Sequence, residues 1–472
     1  MTHRILLAAA SSLALAACAT GPDYVARPAT PTQAAPFLSA GDPGLVTAAP
    51  ADAHWWRLYQ DPVLDRLVGD ALAANTDIRV AVARLAKARA ALREVRGARE
   101  PQVGVGGGAQ YGRPGSDGMA GERDLQLGAG LEVAYEVDLF GRVSRGVEAA
   151  RGDVAASAAD ADAVRVAVVA ETARAYADAA SAAERMAVAE HIVSLLDRSL
   201  KLTERRHSVG LATGLDTARI AALRDQRRAD VPALAAQRQA ALFRLATLTG
   251  RAPAELPPEA GARGETLRLD RPIPVGDGAG LLARRPDIRA AERRLASATA
   301  RIGVATADLY PRITLGGSLA AGGNGLGSLL GNPVGWLVGP LINWTANRSA
   351  ARARVAGAEA DSQAALATFD GTVLTALQET ETALSNYARS LERRRALKDA
   401  SDQAEAAARI TRARQREGQI DSLELLDSER TAADAAAALS EADARITQAQ
   451  VDLFRALGGG WQSAAADGAP RR

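Results

Sequence analysis

From about Arg142 to His207 the sequence carries one long helical pattern. Val143, Val147, Ala150, Val154, Ser157, Ala161, Val164 and Val168 step by four and three residues. All are apolar except the small Ser157, so they read as a coiled-coil seam that lets a second helix approach closely. At 1.5 Å per residue such a helix spans roughly 100 Å. No ordinary globular core needs that length. A second pattern, near 346–416, is slightly longer. Alanine and arginine are abundant and both favour helix, while aromatic residues are only 4% of the chain.

The two long patterns belong to two copies of one plan. Asp77-Ile78-Arg79 matches Asp287-Ile288-Arg289, Pro101 matches Pro311, Gly210 matches Gly418, and Gly250 is paired with Gly459. The offset stays near 210 residues, as duplication of a whole subdomain requires. The first repeat is read over 62–250 and the second over 281–460, joined by a Pro/Gly-rich linker at 251–280. In the first repeat, helix is expected from Pro62 to Arg99, and from about Leu215 to Thr249. Alternating small or polar and apolar residues predict strands at about 101–112 and 125–140, and again at about 310–320 and 332–345. The glycine-rich stretches "RPGSDGMAGE" and "AGGNGLGS" read as the hairpin loops. In each half the two shorter helical segments together match the long one, so they are expected to stack end to end beside it. A turn then lies at one end and the strands at the other.

Four strands do not close a barrel, and unpaired strand edges in a bilayer are prohibitively costly. Membrane barrels begin at about eight strands. Strands in a membrane therefore demand oligomerisation, with Tyr111, Tyr135, Phe140, Trp336 and Trp344 as interfacial aromatics. A soluble sheet packed on helices is the alternative that the strands alone leave open.

The turns between the long helices are "HSVGLATGLDTAR" and "REGQIDSLELLDSER", with tips at about 208–216 and 417–424. Asp216 and Glu424 each stand six residues beyond the tip glycine, and Asp427 follows three later. Acids in a first helical turn cap free N–H groups and complement the dipole. The other reading makes them carboxylate rings around an oligomer axis, with Leu423 as an apolar ring, and such rings attract cations and gate pores.

The N-terminus, "MTHRILLAAASSLALAACAT", is an export signal: one basic residue, a short apolar run and small residues before Cys18. Leu15-Ala16-Ala17-Cys18 resembles the bacterial lipobox, which makes 1–17 the signal peptide, Cys18 the lipidated terminus and 18–61 an anchored arm. An ordinary signal peptide is the alternative. Ala19, in place of Asp, resembles lipoproteins sorted to the outer membrane. No other segment has the roughly 18 apolar residues of a membrane helix. With 57 basic and 55 acidic residues, charge gives no reason to expect nucleic acid. Four His and one Cys exclude a zinc cluster or disulfide framework. "GVGGG" and "GGNGLG" lack the Gly-Lys-Ser/Thr ending and strand–helix setting of phosphate loops. "HWWRLYQDP" reads as aromatics packing a helix start, capped by Asp61 before Pro62. No catalytic constellation, metal site or cofactor is expected.

Several stretches together resemble the outer membrane factors, TolC-like efflux lipoproteins of the NodT type. They are Cys18 followed by "GPDY", then "WWRLYQDPVLDRLV", "YEVDLFGRV", "LLARRPDIRAAERRLASATARIGVATADLYPRITL", "REGQIDSLELLDSER" and "LFRALGGGW". They cover nearly the whole mature chain, up to a C-terminal tail at 461–472. The resemblance implies a mostly α fold with a small transmembrane β part. Three chains would share a 12-stranded barrel and build an α-helical periplasmic tunnel. It implies a passive conduit rather than an enzyme, exporting drugs or small solutes. Energy would come from an inner-membrane pump of the resistance-nodulation-division type, through a periplasmic adaptor. The expected partners are two further copies of the chain, adaptor, pump and outer-membrane lipid, with a covalent lipid on Cys18. The family's aperture positions fall on Asp216, Leu423, Glu424 and Asp427. Its adaptor-docking turns fall on Val209, Gly210, Leu211, Glu417, Gly418 and Gln419. Type I protein secretion is an alternative within the same fold, and a lipid-anchored periplasmic scaffold is one outside transport. Two positions depart from relatives. Ile420 stands where some carry an aperture-locking arginine, and Trp344-Thr345-Ala346-Asn347-Arg348 replaces a glycine-containing turn like Phe140-Gly141-Arg142.

Overall fold

A computed structural model describes residues 20–40, 45–112, 124–269, 271–324, 333–420 and 422–459. The signal peptide, Cys18, the C-terminal tail and most of both hairpin loops lie outside these residues. The elements are α1 (Pro62–Ala74), α2 (Thr76–Gly97), β1 (Gln102–Gly112), β2 (Asp124–Val137), α3 (Arg142–Ser208), α4 (Gly214–Arg228) and α5 (Asp230–Leu248). Then come α6 (Gly278–Arg284), α7 (Pro286–Ala307), β3 (Arg312–Asn324), β4 (Gly335–Asn343), α8 (Ser349–Arg416) and α9 (Ser422–Ala456). The chain forms two compact units. One comprises residues up to 27 with 83–158 and 290–371; the other comprises 28–82, 159–289 and the chain from 372 onward.

In the second unit the short helices meet end to end at joints held by side-chain hydrogen bonds. Asn75 separates α1 from α2. Its Oδ1 accepts from the N–H of Asp77 (2.9 Å) and Ile78 (3.2 Å), the bonds of an N-cap. Its Nδ2 donates to Leu248 O (3.0 Å), at the end of α5. Pro286 makes the equivalent break between α6 and α7. There Arg284 Nε donates to Leu457 O (2.8 Å) and Arg285 to Ala456 O (2.9 Å), at the end of α9. Arg285 also reaches Asp287 and Glu379, both at 2.7 Å. Each joint thus satisfies carbonyls that a helix C-terminus leaves without partners.

Three sequence readings are corrected here. The helix expected from Pro62 to Arg99 breaks at Asn75, whose side chain caps α2 so that the chain restarts instead of continuing α1. The helix expected over 215–249 breaks at Ala229, because Pro232 cannot donate to the carbonyl four residues earlier; it sits instead in the first turn of α5. The glycine that ends α9 is Gly458, not Gly459. Gly458 has φ +70° and stands as far from Gly250 (φ +68°) as Gly418 does from Gly210. The core of this unit holds the aromatic stretch: Trp55, Trp56 and Tyr59 are buried, and Trp55 stacks on Phe454 at 4.7 Å. Asp61 caps α1 through Val63 N–H (2.8 Å) and Leu64 N–H (3.1 Å), and also accepts from Tyr176 and Arg263.

The first unit holds a four-stranded antiparallel sheet in the order β1-β2-β3-β4. β3 continues through Ala321, Gly322 and Gly323, residues read from sequence as loop. At the start of α3, Asp138 accepts from Val143 N–H (2.9 Å) and Ser144 N–H (2.7 Å). Before α8, where the glycine turn is missing, Asn347 accepts from Ser349 N–H (3.1 Å) and Arg348 lies over the Trp344 ring at 4.9 Å. No helix of the described residues is long and apolar enough to cross a membrane.

Candidate functional site

The sheet is the first candidate. Its register sorts the side chains onto two faces. Val103, Val105, Ala109 and Tyr111 of β1 pair with Val133, Leu131, Leu127 and Leu125 of β2. Leu131 and Tyr135 in turn pair with Leu319 and Leu315 of β3, and Leu319 and Ile313 pair with Trp336 and Ile342 of β4. Because side chains alternate with period two, these residues share one face across all four strands. The opposite face is largely Gly, Gln, Glu, Ser and Thr. Val103, Val105, Tyr111, Leu315, Trp336, Val338 and Ile342 are exposed. An exposed apolar face of this extent marks a surface that meets lipid or another protein. Among the described residues β1 and β4 each pair with a strand on one side only, so both are edge strands of the sheet. At the end of the sheet nearest the helices, Phe140 stacks on Tyr310 (4.6 Å) and Trp344 donates to Leu309 O (3.3 Å).

The two tips, both in the second unit, are the second candidate. They are built alike. Gly210 N–H donates to His207 O (3.0 Å) and Leu211 N–H to Arg206 O (2.8 Å). Gly418 N–H donates to Gln415 O (3.0 Å) and Gln419 N–H to Arg414 O (3.0 Å). This pair of bonds is the Schellman motif, which needs a left-handed residue; Gly210 has φ +75° and Gly418 φ +74°. Val209 and Leu211 are exposed beside the first glycine, and Leu423 beyond the second.

The sequence-selected acids behave differently from one another. Asp216 closes a capping box: it accepts from Thr213 N–H (2.8 Å) and Thr213 Oγ1 (2.7 Å), while its own N–H donates to Thr213 Oγ1 (3.2 Å). The Thr213 hydrogen bonds hold its carboxyl below the usual range. Glu424 lies 3.7 Å from Arg414, and Asp427 is exposed. Ile420 is buried, so it packs instead of offering a charge.

Several tip residues were not selected from sequence. Arg206 donates from the first hairpin to Gln415 O in the second (2.9 Å). Arg412 grips the buried Glu429 with two bonds of 2.7 and 2.9 Å, which raises the pKa of its guanidinium, and Ser199 Oγ reaches the same carboxylate at 3.4 Å. Arg224 lies 3.5 Å from Asp197. One signal was present. In an antiparallel hairpin, residues equidistant from the turn face each other, and Asp197 and Arg224, 13 before and 14 after Gly210, are placed so; Arg412 and Glu429, 6 before and 11 after Gly418, are not. Between the hairpins Ile192, Leu196, Leu223 and Ala433 form a small apolar cluster.

A membrane-length sheet with a lipid-compatible face, joined to long helical hairpins, defines a class: chains that contribute part of an outer-membrane β-barrel. The family model "Outer membrane efflux protein" matches residues 67–251 and 280–459, the two repeats. This chain belongs to that family. It is 33% identical to outer membrane protein OprJ of Pseudomonas aeruginosa over 95% of this chain and 94% of that one. It is 28% identical to nodulation protein T of Rhizobium leguminosarum bv. trifolii over 97% of each. The structure of the outer-membrane channel OprN superimposes with a TM-score of 0.89 at 37% identity, covering 94% of this chain and all of that one. That of VceC from Vibrio cholerae gives 0.80 at 26% identity, covering 87% of this chain and all of that one. The fold is that of the TolC-like outer-membrane channels, and the family is one of efflux conduits, not of enzymes.

Proposed function

We propose that this chain assembles as a trimer into the outer-membrane conduit of a tripartite efflux system. The observation that carries the reading is the open four-stranded sheet with one apolar face. Its strands of 9 to 14 residues suit a tilted membrane crossing. Its two edge strands are unsatisfied in lipid unless they meet other strands. Three copies supply twelve strands, enough for a closed barrel, whereas one copy supplies too few. The relatives named for efflux and export support a small-molecule cargo: toluene efflux protein TtgF and pyoverdine export protein OpmQ, each 30–31% identical. A periplasmic adaptor and an inner-membrane pump would complete the system, with Val209, Gly210, Leu211, Glu417, Gly418 and Gln419 as the adaptor-facing turns. The tunnel lies in the periplasm and Cys18 carries the lipid. Under this reading Asp216, Leu423, Glu424 and Asp427 ring the inner aperture. The exposure of Leu423 and Asp427 supports those two. Asp216 is committed to its capping box, so its aperture role uses the face of the carboxylate that the cap leaves open.

Planar-bilayer recording tests the conduit. The purified protein is expected to give small closed-state conductance, and the Leu423→Ala/Asp427→Ala variant a several-fold larger one. No conductance from either protein overturns the conduit; equal conductance from both overturns the aperture assignment alone.

A further inference from the structure

The chain just after Cys18 is fixed unusually tightly in the first unit. Thr20 donates to Phe140 O from its N–H (3.3 Å) and its Oγ1 (2.9 Å), and the Oγ1 also lies 3.3 Å from Gly303 O. Gly21 has φ +88°, a conformation that favours glycine. A Cβ added there would stand 2.5 Å from Gly303 Cα and 2.8 Å from Gly303 N. Those are backbone atoms of α7 and cannot swing away. The converse holds for Gly303, whose added Cβ would meet Thr20 O at 2.7 Å and Arg145 Cγ at 2.8 Å. Two glycines therefore meet backbone to backbone.

Arg145 closes the site from α3. Its side chain is 7% exposed. Nε donates to Thr20 O (3.2 Å) and Nη2 to Gly21 O (3.4 Å) and the Asp23 carboxylate (2.6 Å), while Nη1 donates to Glu148 (2.8 Å). Four residues after Thr20, Tyr24 donates to Glu292 of α7 (3.2 Å); burial first, then the Glu292 charge, push its phenol up to about 12. A mere linker would not require a buried arginine and two glycines without room for side chains.

The placement gives the socket a purpose. Phe140 stands three residues beyond the end of β2 and two before α3. Two residues of chain reach about 7 Å at most, so Cys18 is confined to that distance of Thr20 whatever its own conformation. We propose that Thr20, Gly21, Asp23, Arg145 and Gly303 form a socket that fixes the lipid-bearing terminus at the helix-side end of the sheet. The acyl chains then set the depth at which the strands sit in the bilayer, instead of trailing on a free tether. This rests on the reading of Cys18 as lipidated. With the socket lost, the arm is next held at Tyr24, which adds roughly 14 Å of slack.

The test uses the full-length protein from outer membranes, reconstituted in vesicles. A bimane label at Val105→Cys on β1 reports depth through quenching by lipids carrying spin labels at graded positions. Gly21→Val drives the arm off the socket. Arg145→Ala removes its bonds without burying a charge, because Asp23 and Glu148 are themselves substantially exposed, so at least one variant is expected to keep the helical fold. Both should stay labelled with radioactive palmitate, as the unaltered protein is. Both should move the label by about 3 Å or more, one strand residue, and Cys18→Ser should do the same. The double variant Cys18→Ser/Gly21→Val should move it no further than either single change, since lipid and socket act through each other. Palmitate-labelled Gly21→Val and Arg145→Ala proteins with unchanged depth overturn the socket, as do shifts that add. Unaltered protein without palmitate overturns the anchor reading, and the socket with it; conductance reports separately on the conduit.

Discussion

The two tips share a backbone and differ in what surrounds it. Both end their long helix with a left-handed glycine and the same two hydrogen bonds, and at both an added Cβ would meet nothing within 4 Å. The returning helices diverge from there. The first starts on the Thr213–Asp216 capping box and breaks at Ala229; the second runs unbroken from Ser422 to Ala456 and is tied to its partner by the Arg412–Glu429 pair. The ion pair across the first hairpin, Asp197–Arg224, stands at other positions and is longer and more exposed. A duplicated turn thus keeps its geometry while its ends are held by different forces: local capping in one copy, a buried ion pair in the other. That asymmetry lets the two hairpins respond separately to mutation and to pH.

Gly250→Ala should give the largest effect, and the three left-handed glycines are graded by surroundings at nearly constant φ. At Gly250 an added Cβ would lie 2.6 Å from the Ala74 carbonyl oxygen, so Gly250→Ala should cost about 3 kcal/mol in urea unfolding. Gly210→Ala and Gly418→Ala, with open space around them, should each cost about 1 kcal/mol. Equal losses at all three would mean that φ alone matters. Next comes Arg412→Ala, which leaves Glu429 at 4% exposure without its cation and should cost about 3 kcal/mol or somewhat less. Arg224→Ala should leave the unfolding midpoint where it is, because exposed pairs contribute little. A comparable loss from both would erase the difference between the hairpins.

Smaller again is Thr213→Ala, which removes a capping partner and should cost about 1 kcal/mol. It should raise amide exchange in α4 and leave α9 unchanged. The weakest effect is that of pH. The folded carboxyl of Asp216 titrates below its ordinary value near 3.8. Its contribution is therefore present above that value and is lost as pH falls through the lower, folded value. Amide protection at the start of α4 should decline below about pH 4, and Asp216→Asn should remove that step. A decline of the same size in Asp216→Asn would assign it to other groups.

Much of this was legible in the chain itself. Gly210 and Gly418 were readable as helix ends because a left-handed terminator is a local demand that glycine meets. The sheet faces followed from alternation, and the duplication from matched motifs. Pro232 carried the break at Ala229 in plain view, through its missing N–H, although the surrounding alanines suggested one helix. Gly458 and Gly459 could not be separated, because only the bonds to Arg455 O and Phe454 O decide which of two adjacent glycines turns. The family stretches pointed to an outer-membrane efflux chain, as the family match bears out.

What the sequence determined by itself was periodicity, length and punctuation, since these rest on interactions within a few residues. Helix lengths, strand alternation, glycine stops and the capping box are all of this kind. The tertiary structure decided which groups those elements bring together across long separations. Arg284 and Arg285 could have been surface charges; their carbonyl partners at Leu457 and Ala456 exist only because the end of α9 lies beside the α6–α7 joint. Gly21 and Gly303 are equally silent in sequence, because the ban on a side chain comes from the backbone of a segment far along the chain. Ile420 is buried and Leu423 exposed for the same reason: burial depends on which helix lies opposite, and no local pattern carries that.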